Sequence, residues 1–281
     1  MEGQHMQDLL HRLALLFLMA FALLTSLMVV RMALEQTNPA WATFACTITC
    51  FIFTVLHAVS RLGWKQALTL IALCFFISLL FESIGVKTGW VYGPYHYSNQ
   101  LGPKFLGLVP YLIPLAWFMM MYPAYLMAHW LTPHLRSRLL QGACLAGVAG
   151  VVMTGWDLMM DPLMVFSGHW TWEINGAYFG VPIHNFAGWW LTTFVIFALF
   201  LLIWPVRLES DQKVRSANAH WDRWAFLSYL VMAVGTGVAA VVYKLSGPAL
   251  VGLFAIAPWL LLAWWKTGDE FHKKPREVYL D

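Results

Sequence analysis

The run "LLQGACLAGVAGVVMTGWDLMMDPLMVF", Leu139 to Phe166, is almost wholly apolar as far as Trp156 and then carries two carboxyl groups, Asp157 and Asp161. The segment 139–160 reads as a helix long enough to cross a hydrocarbon core of about 30 Å. A lone charge in hydrocarbon costs several kcal/mol or is neutralised, so two acids four residues apart in such a helix need a reason. Working outward, apolar stretches of similar length recur at 13–30, 40–59, 66–84, 106–130, 188–205, 225–243 and 248–265, giving eight spans in all. Prolines in the fourth and eighth (Pro114, Pro123, Pro258) are expected to break those helices.

Composition agrees with this reading. Sixty per cent of the 281 residues are hydrophobic and 11% are charged, against roughly 25% charged in an ordinary soluble domain. The mean hydropathy is +0.64. The predicted fold is all-α: one polytopic transmembrane bundle, residues 1–281, with no second domain and no repeat at a fixed period. The net charge of +3 gives no sign of a nucleic-acid partner. Cys46, Cys50, Cys74 and Cys144 all lie inside apolar runs and read as small core residues, with no disulfide framework and no metal motif. No cleavable signal peptide is visible, and the first run is long enough to remain as an anchor.

Placing the N-terminus inside puts 13 of the 17 Lys and Arg residues on the inner side and leaves Arg31, Lys87, Lys104 and Lys244 outside. That split predicts an inner, cytoplasmic membrane with both termini in the cytoplasm. The segment 207–223 then reads as a solvated cytoplasmic loop. Two outer connections are unusual: "GVKTGWVYGPYHYSNQLGPKFLGLVP" and "DPLMVFSGHWTWEINGAYFGVPIHNFAGWW". They are rich in Gly, Pro, Tyr and Trp, and are expected to fold back on the bundle, since irregular backbone at membrane depth has to be covered by protein.

At 1.5 Å per residue Asp157 lies about 27 Å along its helix, just inside the outer boundary, and Asp161 follows on the same face. Pro162 is expected to end that helix. Glu82 reaches a similar depth near the end of the third span. His184 and Asn185 stand just before the sixth span, and Tyr92, Tyr95, His96 and Tyr97 lie in the neighbouring loop. One layer thus holds three acids, two histidines, an amide and several phenols, with Trp156, Trp170 and Trp172 beside them. Structural alternatives stand next to the functional ones. The aspartates could cap helices or pair with His184, Glu82 and the histidines could be satisfied partners, and Trp189 and Trp190 read as interfacial anchors. His57 and His129 are assigned no role.

Two runs, "FESIGVKTGWVYGPYHYSNQLGPKFLGLVPYLIPLAWFMMMYPAY" and "MTGWDLMMDPLMVFSGHWTWEINGAYFGVPIHNFAGWWLT", resemble the membrane carotenoid-biosynthesis family that includes the CruF-type carotenoid 1',2'-hydratases. The resemblance covers about Phe81 to Thr192. It implies addition of water to the terminal 1',2' double bond of an open-chain carotenoid end, as in lycopene, γ-carotene or a bacterioruberin precursor. Its implied partners are a carotenoid held in the bilayer, membrane lipid, and other enzymes of the pathway or a larger membrane complex. Localisation would be the bacterial or archaeal inner membrane.

That chemistry fits the residues and needs no cofactor and no metal. Acid-catalysed hydration protonates the less substituted carbon and traps a tertiary carbocation with water. Two carboxyl groups one turn apart in a water-poor site share one proton rather than hold two charges, so Asp157 or Asp161 is the expected donor. Trp156, Trp170, Trp172 and Tyr95, with Tyr92 and Tyr97, are the expected aromatic wall for the cation. His184 or His96 would accept the proton from water held by Asn185. Two other readings stand beside this one. A Mg²⁺-dependent prenyl-transferring enzyme would use "DLMMD" as a diphosphate motif, though the outer loops offer few basic residues. A non-enzymatic carotenoid- or lipid-binding membrane subunit would show the same aromatic pocket.

Overall fold

The structure, a computed structural model, describes residues 2–206 and 212–272. Eight helices run through it: α1 (Glu2–Ala33), α2 (Trp41–Leu62), α3 (Trp64–Thr88), α4 (Leu112–Leu131), α5 (Arg138–Phe166), α6 (Ile183–Ile203), α7 (Gln212–Val242) and α8 (Ser246–His272). All eight are long and apolar enough to cross a membrane. Four short strands lie in the connections: β1 (Tyr95–Tyr97), β2 (Lys104–Phe105), β3 (Val109–Pro110) and β4 (Trp170–Trp172). The chain is an all-α, multi-pass membrane bundle, as its hydropathy pattern predicts.

The core is built around α4, which packs against α2, α3, α5, α7 and α8 and buries nearly every side chain from Leu112 to Ala128. Large apolar side chains remain outside on the peripheral helices, among them Leu23, Phe76, Phe254 and Leu261. A patch of that extent would be a liability in water, whereas hydrocarbon is its natural solvent.

Several helices differ from the expectation. Pro123 and Pro258 lie inside continuous α4 and α8, and Pro114 sits in the first turn of α4, where its missing N–H would have no partner in any case. α5 runs four residues past Pro162. A proline cannot bond the carbonyl four residues back, here that of Leu158, and the Tyr178 hydroxyl donates to that oxygen instead at 2.8 Å. α7 starts at Gln212, so most of the expected cytoplasmic loop is helix, and Asp222 within it is fully buried. The loop's start, 207–211, and the basic residues Arg207, Lys273, Lys274 and Arg276 lie outside the described residues. Cys46, Cys50 and Cys74 are buried as expected, but Cys144 faces outward from α5.

Polar groups gather at the two ends of the bundle. At one end Arg61 pairs with Asp222 at 2.9 Å, Trp130 donates its indole N–H to the other Asp222 oxygen at 2.8 Å, and Arg215 reaches Glu270 at 2.7 Å. His57 donates from Nε2 to the Trp221 carbonyl at 2.9 Å and accepts from the Tyr122 hydroxyl at 2.8 Å, its ring stacked on Trp221. These bonds tie α2, α4, α7 and α8 together, and every oxygen of Asp222 has a donor. At the other end the two aromatic connections meet. β1 pairs antiparallel with β4 in the register Tyr95 to Trp172, His96 to Thr171 and Tyr97 to Trp170. Alternation along a strand sends Tyr95, Tyr97, Trp170 and Trp172 into the bundle and His96 and Thr171 out. The connections fold back on the helices, as their composition predicts.

Candidate active site

Asp157 and Asp161 stack on one face of α5, and both are buried. A single amide holds them: Asn185 Nδ2 donates to Asp157 Oδ2 at 2.8 Å and to Asp161 Oδ2 at 2.7 Å. Asn185 is in the first turn of α6, not before the helix. Asp161 Oδ1 accepts the indole N–H of Trp170 at 2.8 Å and, more weakly, that of Trp172 at 3.3 Å. Asp157 Oδ1 is buried with no partner among the described residues. The two acids are thus unequal: Asp161 is tied by three donors and Asp157 by one.

Glu82, near the end of α3, anchors a second network. Its Oε1 accepts from Trp117 Nε1 at 2.9 Å, and its Oε2 accepts from the hydroxyls of Tyr97, at 2.8 Å, and Tyr95. Three donors and no acceptor suit an ionised carboxylate, which can only accept. Burial pushes the Tyr95 and Tyr97 phenols well above their ordinary value of 10.0, and the Glu82 charge adds to the effect, so both stay protonated as donors. Tyr92 packs between α3 and α6, where a side chain on Gly85 or Gly188 would collide with its ring. The Thr192 hydroxyl bonds the Gly188 carbonyl at 2.8 Å, so the Tyr92 hydroxyl donates to Thr192, also at 2.8 Å.

Both networks open onto one cavity of about 640 Å³. Its polar end carries Glu82, Asp161 and Asn185 among Tyr92, Tyr95, Tyr97, Trp117, Trp156, Trp170, Trp172 and Trp189. Trp117 and Trp189 stack at 4.2 Å, and Trp156 meets Trp189 edge-on at 6.0 Å. From there the cavity extends between α1, α2 and α7, along Met28, Val29, Met32, Thr47, Met232 and Ala239. Most of the lining is apolar or aromatic, and Glu82 and Asp161 supply its carboxyl groups. Asp157 does not line it and stands behind Asn185.

Of the residues expected at the site, the structure brings together Asp157, Asp161, Glu82, Asn185, Trp156, Trp170, Trp172, Tyr92, Tyr95 and Tyr97. It does not bring His96 or His184. His96 points outward from β1, 3.6 Å from Glu173, with both side chains more than half exposed. His184 is exposed because the inward face of α6 is set by Asn185, Gly188, Trp189 and Thr192, and one residue back is turned about 100° away. Trp189, expected as an interfacial anchor, is a cavity wall instead, whereas Trp190 is exposed. Trp117 and His169 also line the cavity and were not singled out by the sequence. Trp117 could have been found by depth, since it lies in the second turn of α4, level with Glu82.

Residues 40–258 match the family described as "Carotenoid biosynthesis protein". The chain belongs to that family. Within it, the chain is similar to a bisanhydrobacterioruberin hydratase of Haloarcula japonica, at 37% identity over 136 residues, which is 48% of this chain and 45% of that protein. The chain thus aligns with less than half the length of that relative. No solved structure matches.

Proposed function

We propose that the protein is a hydratase that adds water to the terminal 1',2' double bond of an open-chain carotenoid end by acid catalysis. The observation that carries this reading is the Asp157–Asn185–Asp161 cluster, with Asp161 on the wall of an aromatic cavity and Asp157 behind it. The name of the Haloarcula japonica relative supports the reaction class.

At rest the single proton of the pair sits on Asp157, which receives one donor against three on Asp161, and it passes to Asp161, the member that reaches the cavity, for delivery. The π electrons of the terminal double bond take the proton at the less substituted carbon, which leaves a tertiary carbocation. Trp and Tyr faces around that carbon stabilise it by roughly 0.5–2 kcal/mol per well-placed ring, and the Glu82 carboxylate supplies the compensating negative charge. Water bonds to the cation and loses one proton, giving the tertiary alcohol. Among the described residues the cavity lining carries no Lys or Arg, which suits a neutral polyene and not a diphosphate.

The orientation proposed here rests on the distribution of Lys and Arg. The acid cluster lies at the outer end of the bundle, where a polyene in lipid and water from the boundary can both reach it. The slot between α1, α2 and α7 holds the chain behind the reacting end.

The test is pigment analysis in a host that makes lycopene. The unsubstituted protein is expected to yield hydroxylated ends. Asp161→Asn should lower their formation by about 10²–10⁴-fold, the usual worth of a general acid, while the protein still accumulates in the membrane. Full activity in Asp161→Asn would remove the proposal. Pigment that binds but is never hydroxylated would make the protein a carrier.

A further inference from the structure

One face of α1, through Ala14, Leu18 and Phe21, is buried in the core of the bundle. The same face continues at helical spacing through Thr25, Met28 and Met32. These three are only half-buried, and they border the cavity instead of a neighbouring helix. On α7 the face that borders the cavity runs through Gly235, Ala239 and Tyr243. The two helices close on each other at Gly235, where an added Cβ would stand 2.5 Å from Thr25 Cγ2. Beyond that contact, toward the end that carries the acid cluster, the cavity lies between them. Thr25 to Met32 and Gly235 to Tyr243 each span about 10–12 Å of helix.

The neighbouring seams are fastened. α1 is tied to α2 and to the connection between them, since Thr25 Oγ1 meets Cys46 Sγ at 3.8 Å and the Asn38 amide donates to the Met28 carbonyl at 3.3 Å. α7 is held to α5 by the rings of Phe166 and Tyr243, 5.3 Å apart. Among the described residues no hydrogen bond joins α1 to α7 beyond Thr25. The lips of this third seam are apolar and exposed: Leu27 and Val30 on α1, Val238 and Val241 on α7. The rim at the helix ends is polar, with Thr37 and Gln100 exposed there and on the lining. Resting on the carotenoid reading for what fills the cavity, we infer that the polyene enters end-first from the bilayer through the seam between α1 and α7, with the Thr25–Gly235 contact as its floor. A chain that came over the rim would expose its apolar surface to water. Through the seam it stays among lipid tails and apolar side chains, and the rim is left to water.

The experiment uses cysteine-free protein carrying Val29→Cys and Ala239→Cys, which line the cavity four residues beyond the contact on α1 and on α7. A disulfide needs the two Cα atoms within about 7 Å, so oxidation draws the helices together across the seam. Purified protein in detergent is oxidised before or after lycopene is added, and the pigment retained through gel filtration is measured. Oxidised first, the protein should take up lycopene in proportion to the fraction still reduced, because only open molecules are competent. Reduction should restore uptake, and lycopene added first should slow oxidation of the pair. Equal uptake by oxidised and reduced protein would overturn the inference, as would an oxidation rate that pigment leaves unchanged. Ala239→Trp fills the seam without an oxidant and should lose retained lycopene. Val234→Trp, at an exposed position of α7 on the other side of the contact, should keep it, and equal pigment in these two folded variants would also overturn the inference. Uptake is read without turnover. Protein that takes up lycopene through the seam but forms no alcohol would remove the hydratase reading and leave the route standing, whereas unsubstituted protein that retains no lycopene would remove both.

Discussion

Glu82 is 3% exposed, and its oxygens are met by one indole and two phenols. In Glu82→Gln one of those oxygens becomes an NH2 group facing a donor, and a buried donor left without an acceptor costs about 1–3 kcal/mol. Glu82→Gln is accordingly expected to lower the Tm measured in detergent, and Tyr97→Phe, which removes a single donor, to lower it less. Equal Tm values for all three proteins would show that the network holds nothing together. At this scale the sequence was readable where spacing is rigid: four residues on a helix must stack, and Asp157 and Asp161 do. It was unreadable where one residue of register decides the direction of a side chain. "YHY" is a strand of three residues, too short to announce its alternation, and that alternation alone separates Tyr95 and Tyr97 from His96. The α6 face could have been read, because Asn185, Gly188, Trp189 and Thr192 keep helical spacing and His184 breaks it.

Among the elements, the contact of α3 with α6 bears most directly on the site, because Tyr92 is wedged between them. A Cβ on Gly188 would stand 2.3 Å from the Val91 carbonyl and 2.6 Å from the Tyr92 ring. Gly188→Ala should therefore destabilise by about 1–3 kcal/mol, the usual cost of overpacking. Gly147→Ala on α5, whose Cβ would meet nothing nearer than 3.9 Å, is expected to leave the Tm unchanged or raise it. Thermal unfolding of the two variants side by side checks this, and equal behaviour would contradict the close packing. Helix count and type were plain in the hydropathy, since hydrocarbon permits few alternatives to a 20-residue helix. Helix ends were not. Pro162 looked like a stop, and only the hydroxyl of Tyr178, 20 residues beyond the Leu158 carbonyl it bonds, shows why α5 continues.

For the molecule as a whole, we propose that all eight helices cross the membrane, so that the described ends, Glu2 and His272, lie on one side, and that this side is the cytoplasm on the distribution of Lys and Arg. With cysteine-free protein as background, Glu35→Cys is expected to react with a membrane-impermeant maleimide in intact cells, and Lys65→Cys only after permeabilisation. Both positions are exposed in the structure. The opposite pattern would invert the bundle and put the acid cluster at the inner face. The bundle is held by apolar packing around α4 and, at the far end from the cavity, by the buried bonds of Asp222. The end that holds the cavity is free to carry groups that packing alone would exclude. That division was half visible in the sequence. The acids and aromatics declared their depth, but the cluster around Asp222 did not, because the start of α7 is polar enough to pass for a loop.

Asp161 as a proton donor to an alkene is tested most directly by heavy-oxygen water. Purified protein given lycopene in detergent is expected to place one heavy oxygen on each hydrated end, without any added cofactor, and Asp161→Asn is expected to abolish that label while still binding the pigment. Label incorporated at an undiminished rate by Asp161→Asn, or a product whose oxygen does not come from water, would contradict the account.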